Sequence, residues 1–282
     1  MAYNIFKGLD TGSDIATLKG TEVTTGLWSN DTGSLSAVYT SSNQVAISGE
    51  YYYDLYNGSN IASSDVQFSV AYGHVSGGGS PPLTTLNTST LPTQVIYSQY
   101  RNILLTSDTS RFSFGSNASD DIYVINIQRS RLKQSIDPGN WQLGLSGSRG
   151  IRTFIDDSGL GTAVVGNVAA NSVYNIRSGS LDAGLVSSDT TIYGTVFPDY
   201  GTIVLYPNAI SSSVGFYPPT INAKTTASIG GNVPFAPYTG SNVTAYQYQH
   251  EGLLRSISAS MAAGSPFIAR YCGNYNIYQL LH

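Results

Sequence analysis

Asp65-Val66-Gln67-Phe68-Ser69-Val70-Ala71-Tyr72 alternates, with Val66, Phe68, Val70 and Tyr72 on one face. A period of two marks a strand with one side against a core. The same pattern recurs outward from this stretch. Upstream, residues 34–39 and 44–47 flank the polar turn Ser41-Ser42-Asn43, and residues 51–56 are closed by Asn57-Gly58. Downstream, residues 111–114, 121–127 and 141–145 read as strands, with Asp137-Pro138-Gly139-Asn140 as a turn. In that turn Pro fixes φ and Gly accepts φ > 0. Further strands are read at 151–155, 162–165 and 267–271. Residues 191–197 and 202–206 read as a hairpin around Pro198-Asp199-Tyr200-Gly201.

Only two segments suggest helix. One is 92–105, where Pro92 suits a first turn and Val95, Ile96, Gln99, Tyr100, Ile103 and Leu104 share a face. The other is 251–262, with Leu253, Leu254, Ile257 and Met261 on one side. Between 73 and 91, Gly77-Gly78-Gly79 and Pro81-Pro82 favour a flexible loop. The expected fold is mainly β, with β-sandwich-like domains and about two short helices. Residues 1–34 read as an N-terminal arm, 35–149 as a β-rich domain with one helix, and 150–282 as a second with a late helix. A single larger β-sandwich is the alternative division.

Composition narrows function. The chain has 282 residues and only 11% are charged, with 13 Lys plus Arg against 17 Asp plus Glu. So few cations neutralise few phosphates, which argues against a nucleic-acid binder. Cys272 is the only cysteine, so an internal disulfide framework and a cysteine zinc site are excluded. The start MAYNIFKGLD lacks the charge and apolar core of a signal peptide, and no apolar run approaches bilayer length. The expectation is a protein made in a cytoplasm, with no membrane and no cofactor. Its coat must come from Ser, Thr, Gly, Asn, Gln and Tyr, with 21 Tyr against 9 Phe and 2 Trp. Such a surface is easily desolvated and suits contact with neighbouring subunits. An uncharged extracellular-style coat is the other reading.

Catalytic patterns are thin. The histidines are His74, His250 and His282, and there is no G-x-S-x-G elbow or phosphate loop. The paired aspartates Asp120-Asp121 and Asp156-Asp157 read as solvated turns, since adjacent strand residues point to opposite faces. Asp156, Asp157 and Ser158 lack the alternating oxygen ligands of an EF-hand. The chain is therefore read as not an enzyme. Candidate contact residues are the basic run Arg129, Arg131 and Lys133, and Tyr97 and Arg101 on the first helix. Tyr51 and Tyr53 are a third candidate, as a sugar-stacking pair on one face of a strand.

The stretches TQVIYSQYRNILL (93–105) and SRFSFGSNASDDIYVINIQRSRLKQSIDPGNWQLGLSG (110–147) resemble virion structural proteins of contractile-tailed cyanobacterial phages. So do TIYGTVFPDYGTIVLYPNAIS (191–211) and SPFIARYCGNYNIYQL (265–280). The resemblance implies a non-enzymatic tail or baseplate subunit in the virion. Its partners would be copies of itself or neighbouring tail subunits. A receptor- or carbohydrate-binding tail module, a neck or head decoration protein, and a tail-associated hydrolase are the competing functions.

Overall fold

The computed structural model describes residues 15–19, 25–41, 51–77, 92–132, 134–161, 172–217, 233–234, 249–272 and 276–280. The readings at 44–47, 78–91 and 162–165 lie outside these residues, as does Lys133. The chain is mainly β. Among the described residues an antiparallel sheet of twelve strands dominates, ten of them on one continuous path. In chain order these ten are β1 (Thr25–Gly26), β2 (Tyr52–Tyr56), β3 (Val66–His74), β4 (Asp121–Ile127) and β5 (Ser135–Gly147). They continue as β6 (Gly150–Asp156), β7 (Tyr174–Ser180), β8 (Gly194–Phe197), β9 (Thr202–Leu205) and β10 (Phe267–Cys272). Across the sheet the order is β1-β10-β5-β6-β7-β8-β9-β4-β3-β2.

The strand read at 65–72 is β3, and Phe68, Val70 and Tyr72 enter one core as its alternation requires. β4 shows no alternation in sequence because both its faces are covered. Tyr123, Ile125 and Ile127 join Phe68, Val70, Ile203, Leu205, Leu143 and Phe154 in a large core. Ile122 and Val124 join Ala71 and Val204 in a second core on the other face. The expected hairpin is β8–β9, with Phe197 opposite Thr202.

The principal strands belong to one large antiparallel sheet. One sheet curls until its ends approach, as long twisted sheets do. At the seam the Trp28 ring lies 4.8 Å from Phe267 of β10 and 5.9 Å from Phe68 of β3. The Trp28 indole N–H donates to the Phe267 carbonyl at 2.9 Å. The same segment then pairs Ser34 and Leu35 with β10 and bridges Tyr39 to Tyr56 of β2. Residues 25–39 thus join both ends of the sheet. Asn30 and Asp31 make the tight turn there with φ of 61° and 54°, a conformation their short polar side chains tolerate. Of the residues read as an arm, Thr25, Gly26 and Ser34 pair with β10 in this sheet, while Ile15–Lys19 pairs with Asn276–Leu280 in a separate two-stranded sheet. The boundary expected at 149/150 falls in the connection between β5 and β6, where Gly150 pairs with Gly147 in the same sheet.

Asp137-Pro138-Gly139-Asn140 does not reverse the chain. Ile136 faces Tyr271 and Trp141 faces Ala269, so these four residues bulge out of β5 opposite Arg270 alone. Turn chemistry serves either outcome, and Gly139 does take φ +78°.

Three α-helices occur among the described residues: α1 (Pro92–Leu104), α2 (Pro207–Val214) and α3 (Gln249–Ala262). α2, unanticipated, begins on a proline and buries Ala209, Ile210 and Val214 in the large core. α3 adds Leu253, Ile257 and Met261 to that core, and its Ser256 hydroxyl donates to the Ser146 carbonyl of β5 at 2.8 Å.

α1 and the small hairpin Phe112–Phe114/Asn117–Ser119 cover the second core. The buried face of α1 is Thr93, Ile96, Tyr97 and Leu104. Val95, Gln99 and Ile103, expected inside, point outward instead. α1 lies so close to β3 that a Cβ on Gly73 would sit 2.7 Å from Tyr97 N and 2.9 Å from its Cα. Gly73→Ala is expected to destabilise by about 1–2 kcal/mol through overpacking. Urea unfolding checks this, and an unchanged midpoint would mean that α1 can shift at no cost.

Candidate interaction surfaces

The basic run follows β4 in a short turn, where Gln128 N–H donates to Gln67 O and Arg131 N–H to Gln128 O. Arg131 folds back on the start of β3. Its Nε donates to the Val66 carbonyl at 3.1 Å, and its Nη2 lies 3.0 Å from the Asp65 carboxylate. Asp65 also accepts from Ser29 Oγ at 3.3 Å, which ties this corner to the seam. Arg129 is exposed and reaches the Asp199 carbonyl at 3.3 Å. The two arginines thus differ: Arg131 is held by its own chain, while Arg129 lies on the surface. The Arg131–Asp65 ion pair itself adds at most about 1 kcal/mol, because Asp65 is largely exposed.

Tyr97, expected on a contact face of α1, is fully buried. Its hydroxyl donates to the Ser119 carbonyl at 2.8 Å and accepts the Phe112 N–H at 3.2 Å. Arg101 is half-buried, with its guanidinium carbon 5.9 Å from the centre of the Tyr97 ring. Burial of Tyr100 pushes its hydroxyl up to about 12. The outward face of α1 is Gln94, Val95, Gln99, Asn102 and Ile103. Val95 is 41% exposed and Ile103 43%. The helix carries no carboxylate, and Arg101 is its one charge. A helix face meant for water ordinarily carries charges of both signs.

Tyr51 and Tyr53 do not form a platform. Tyr53 is buried, with its ring 5.1 Å from that of His250. Tyr51 precedes the strand and packs against the second core. It is Tyr52, between them, that is exposed, as are Tyr39 and Tyr200.

Of the four paired aspartates only Asp120 is exposed, as a solvated turn would have it. Asp156 and Asp157 are both buried, as is Asp121. Asp156 accepts the Gly139 N–H at 2.9 Å and the Ser158 N–H at 3.0 Å, which pins the bulge of β5 to the end of β6. Asp157 accepts from Asn175 N and Nδ2 at 2.9 and 3.0 Å, pinning β7. Their lone pairs face backbone donors, and no cluster of three metal-ligating side chains occurs among the described residues. No protein-family model, curated protein or solved structure matches the chain. The assignment of a role therefore rests on these residues and on the resemblance of the four segments.

His250 is buried on α3. His74 ends β3 directly opposite Asp121, and its Nδ1 accepts the Ser76 N–H at 3.1 Å. Asp121 accepts the Tyr72 hydroxyl at 3.0 Å and the Ser119 hydroxyl at 3.0 Å. Burial pushes its carboxyl from 3.8 up to about 6, and these two hydrogen bonds pull the other way. This cluster was not anticipated. The signal for it was an aspartate opening the otherwise apolar strand DIYVINI.

Proposed function

We propose that the chain is a structural subunit of a bacteriophage virion, in the tail or baseplate of a contractile-tailed phage, working by subunit–subunit assembly. The outward face of α1 carries the assembly part of this reading. It joins two exposed branched apolar residues to an uncharged helix surface, the composition of a contact that becomes covered. The exposed Tyr39, Tyr52 and Tyr200 add amphipathic contact area of the kind enriched at interfaces. The virion setting rests on the resemblance of residues 93–105, 110–147, 191–211 and 265–280.

Sedimentation velocity of the purified chain, alone and mixed with solubilised tail components, tests the proposal. A defined oligomer or discrete co-sedimentation is expected. The double variant Val95→Asp/Ile103→Asp should keep the circular dichroism of the parent and lose that association by tenfold or more, on the order of a hot-spot loss. A monomer that ignores every tail component would overturn the reading. Association that survives the double variant would remove α1 from it.

A further inference from the structure

Val95, Gln99 and Ile103 stand four residues apart on α1, so they form one ridge along its outward side. All three are exposed, Val95 and Ile103 to nearly the same degree. Gln99 lies midway between them. The ridge therefore reads almost alike from either end: branched apolar, amide, branched apolar. A surface with that symmetry complements itself after a half turn about an axis through its centre. Turned so, Val95 of one helix meets Ile103 of the other, and Gln99 meets Gln99. A Gln amide carries both donors and an acceptor, so two of them can exchange hydrogen bonds across the axis. Ser98 and Tyr100, both half-buried, flank Gln99 on its two sides and exchange places under the same half turn.

Charge agrees with this symmetry. A half turn brings any charged group near the axis to face its own copy, which costs free energy. α1 carries no carboxylate, and its one cation is Arg101. Arg101 comes two residues after Gln99, on the opposite side of the helix. There its guanidinium turns over the buried Tyr97 ring. The ridge thus holds no charge to repel its copy, and none to attract an acidic or basic partner.

We propose that the partner of this face is a second copy of the chain, with the two α1 helices packed antiparallel about a two-fold axis at Gln99. This pairing rests on the assembly role given to α1 above and adds to it the identity of the partner. Packed helices approach to about 8–10 Å between axes, close enough for the Val95–Ile103 pairs to shed their water. One helix pair covers less area than a standard stable interface. The dimer is therefore expected to be weak, with a Kd of about 10 μM to 1 mM. Copies held side by side in an assembly make a contact of that strength sufficient.

Charge exchange at the axis tests it, by sedimentation equilibrium of the intact chain at up to about 1 mM. Gln99→Glu and Gln99→Lys should each keep the circular dichroism of the parent, since the position is exposed and both residues favour helix. Each alone should weaken the dimer by about tenfold or more, because like charges then face each other, and an equimolar mixture should restore it as a heterodimer. Val95→Glu mixed with Ile103→Lys reads the direction of the helices. Restored association is expected there too, and a mixture that stays apart overturns the antiparallel pairing. A parent that stays monomeric overturns the proposal, whether residues 78–91 of its own chain or another protein cover the face. So does a dimer indifferent to charge at Gln99, or a mixture that associates no better than its components. In those cases co-sedimentation with tail components that is lost in Val95→Asp/Ile103→Asp would still uphold the assembly role of α1, with a different partner.

Discussion

Trp28→Ala is expected to lower stability by about 3–5 kcal/mol, the range for deleting a fully buried tryptophan. The indole fills the seam between β3 and β10, in contact with Phe68 and Phe267, which are themselves 5.4 Å apart. Alanine there leaves a cavity where collapse is difficult, because the flanking chain is hydrogen-bonded at Leu27, Trp28 and Gly33. It also strips the Phe267 carbonyl of its indole donor. Trp28→Phe keeps most of the packing and loses only the hydrogen bond, so it should cost about 1–2 kcal/mol. Urea unfolding separates the two variants. A loss below about 1 kcal/mol for the alanine variant would show that the ends of the sheet do not depend on this contact.

Asp156→Ala is expected to lose about 2–3 kcal/mol, since it removes a charged acceptor from the Gly139 and Ser158 N–H groups. The effect is local in origin. Without its anchor the bulge at 137–140 can flatten, which would shift the register of β5 against β10. Asp156→Asn retains one acceptor and should lose about half as much. Exchange protection along 135–142 is the second readout, and it should fall in the alanine variant before that of β3 or β4. Equal losses from both variants would mean that the carboxylate charge, rather than its acceptor geometry, holds the bulge.

The β class was legible because β3 carries apolar alternation and β9 is rich in β-branched residues. The extent of α1 was legible too, but its rotation was not. Val95 and Ile103 are as apolar as Ile96 and Leu104, and hydrophobicity alone cannot say which stripe meets the sheet. Tyr97 settles the matter in space, through its hydrogen bonds to the hairpin and its close approach to Gly73 of β3. The turn at 137–140 was legible as local φ preference, which a reversal and a bulge share. The buried aspartates were hidden for a different reason. Asp156 and Asp157 accept backbone N–H groups at Gly139, Ser158 and Asn175, and no side-chain pattern records them. Of the contact residues read from sequence, Arg129 is exposed and Arg131, Tyr97 and Tyr53 are engaged within the chain. The same residue types, Arg and Tyr, serve interfaces and cores alike.

The seam has a consequence for how the chain is made. β2, β3 and their turn can pair as soon as they leave a ribosome, but Trp28 cannot meet its carbonyl acceptor until 239 further residues have been added. At about 5–20 residues per second, that interval is on the order of ten seconds or more. For that time the nascent chain carries the unpaired aromatic surfaces of Trp28 and Phe68 and the open strand edges that flank them. Closure of the sheet's two ends at Trp28 is thus a late event, possible only once Phe267 has been added.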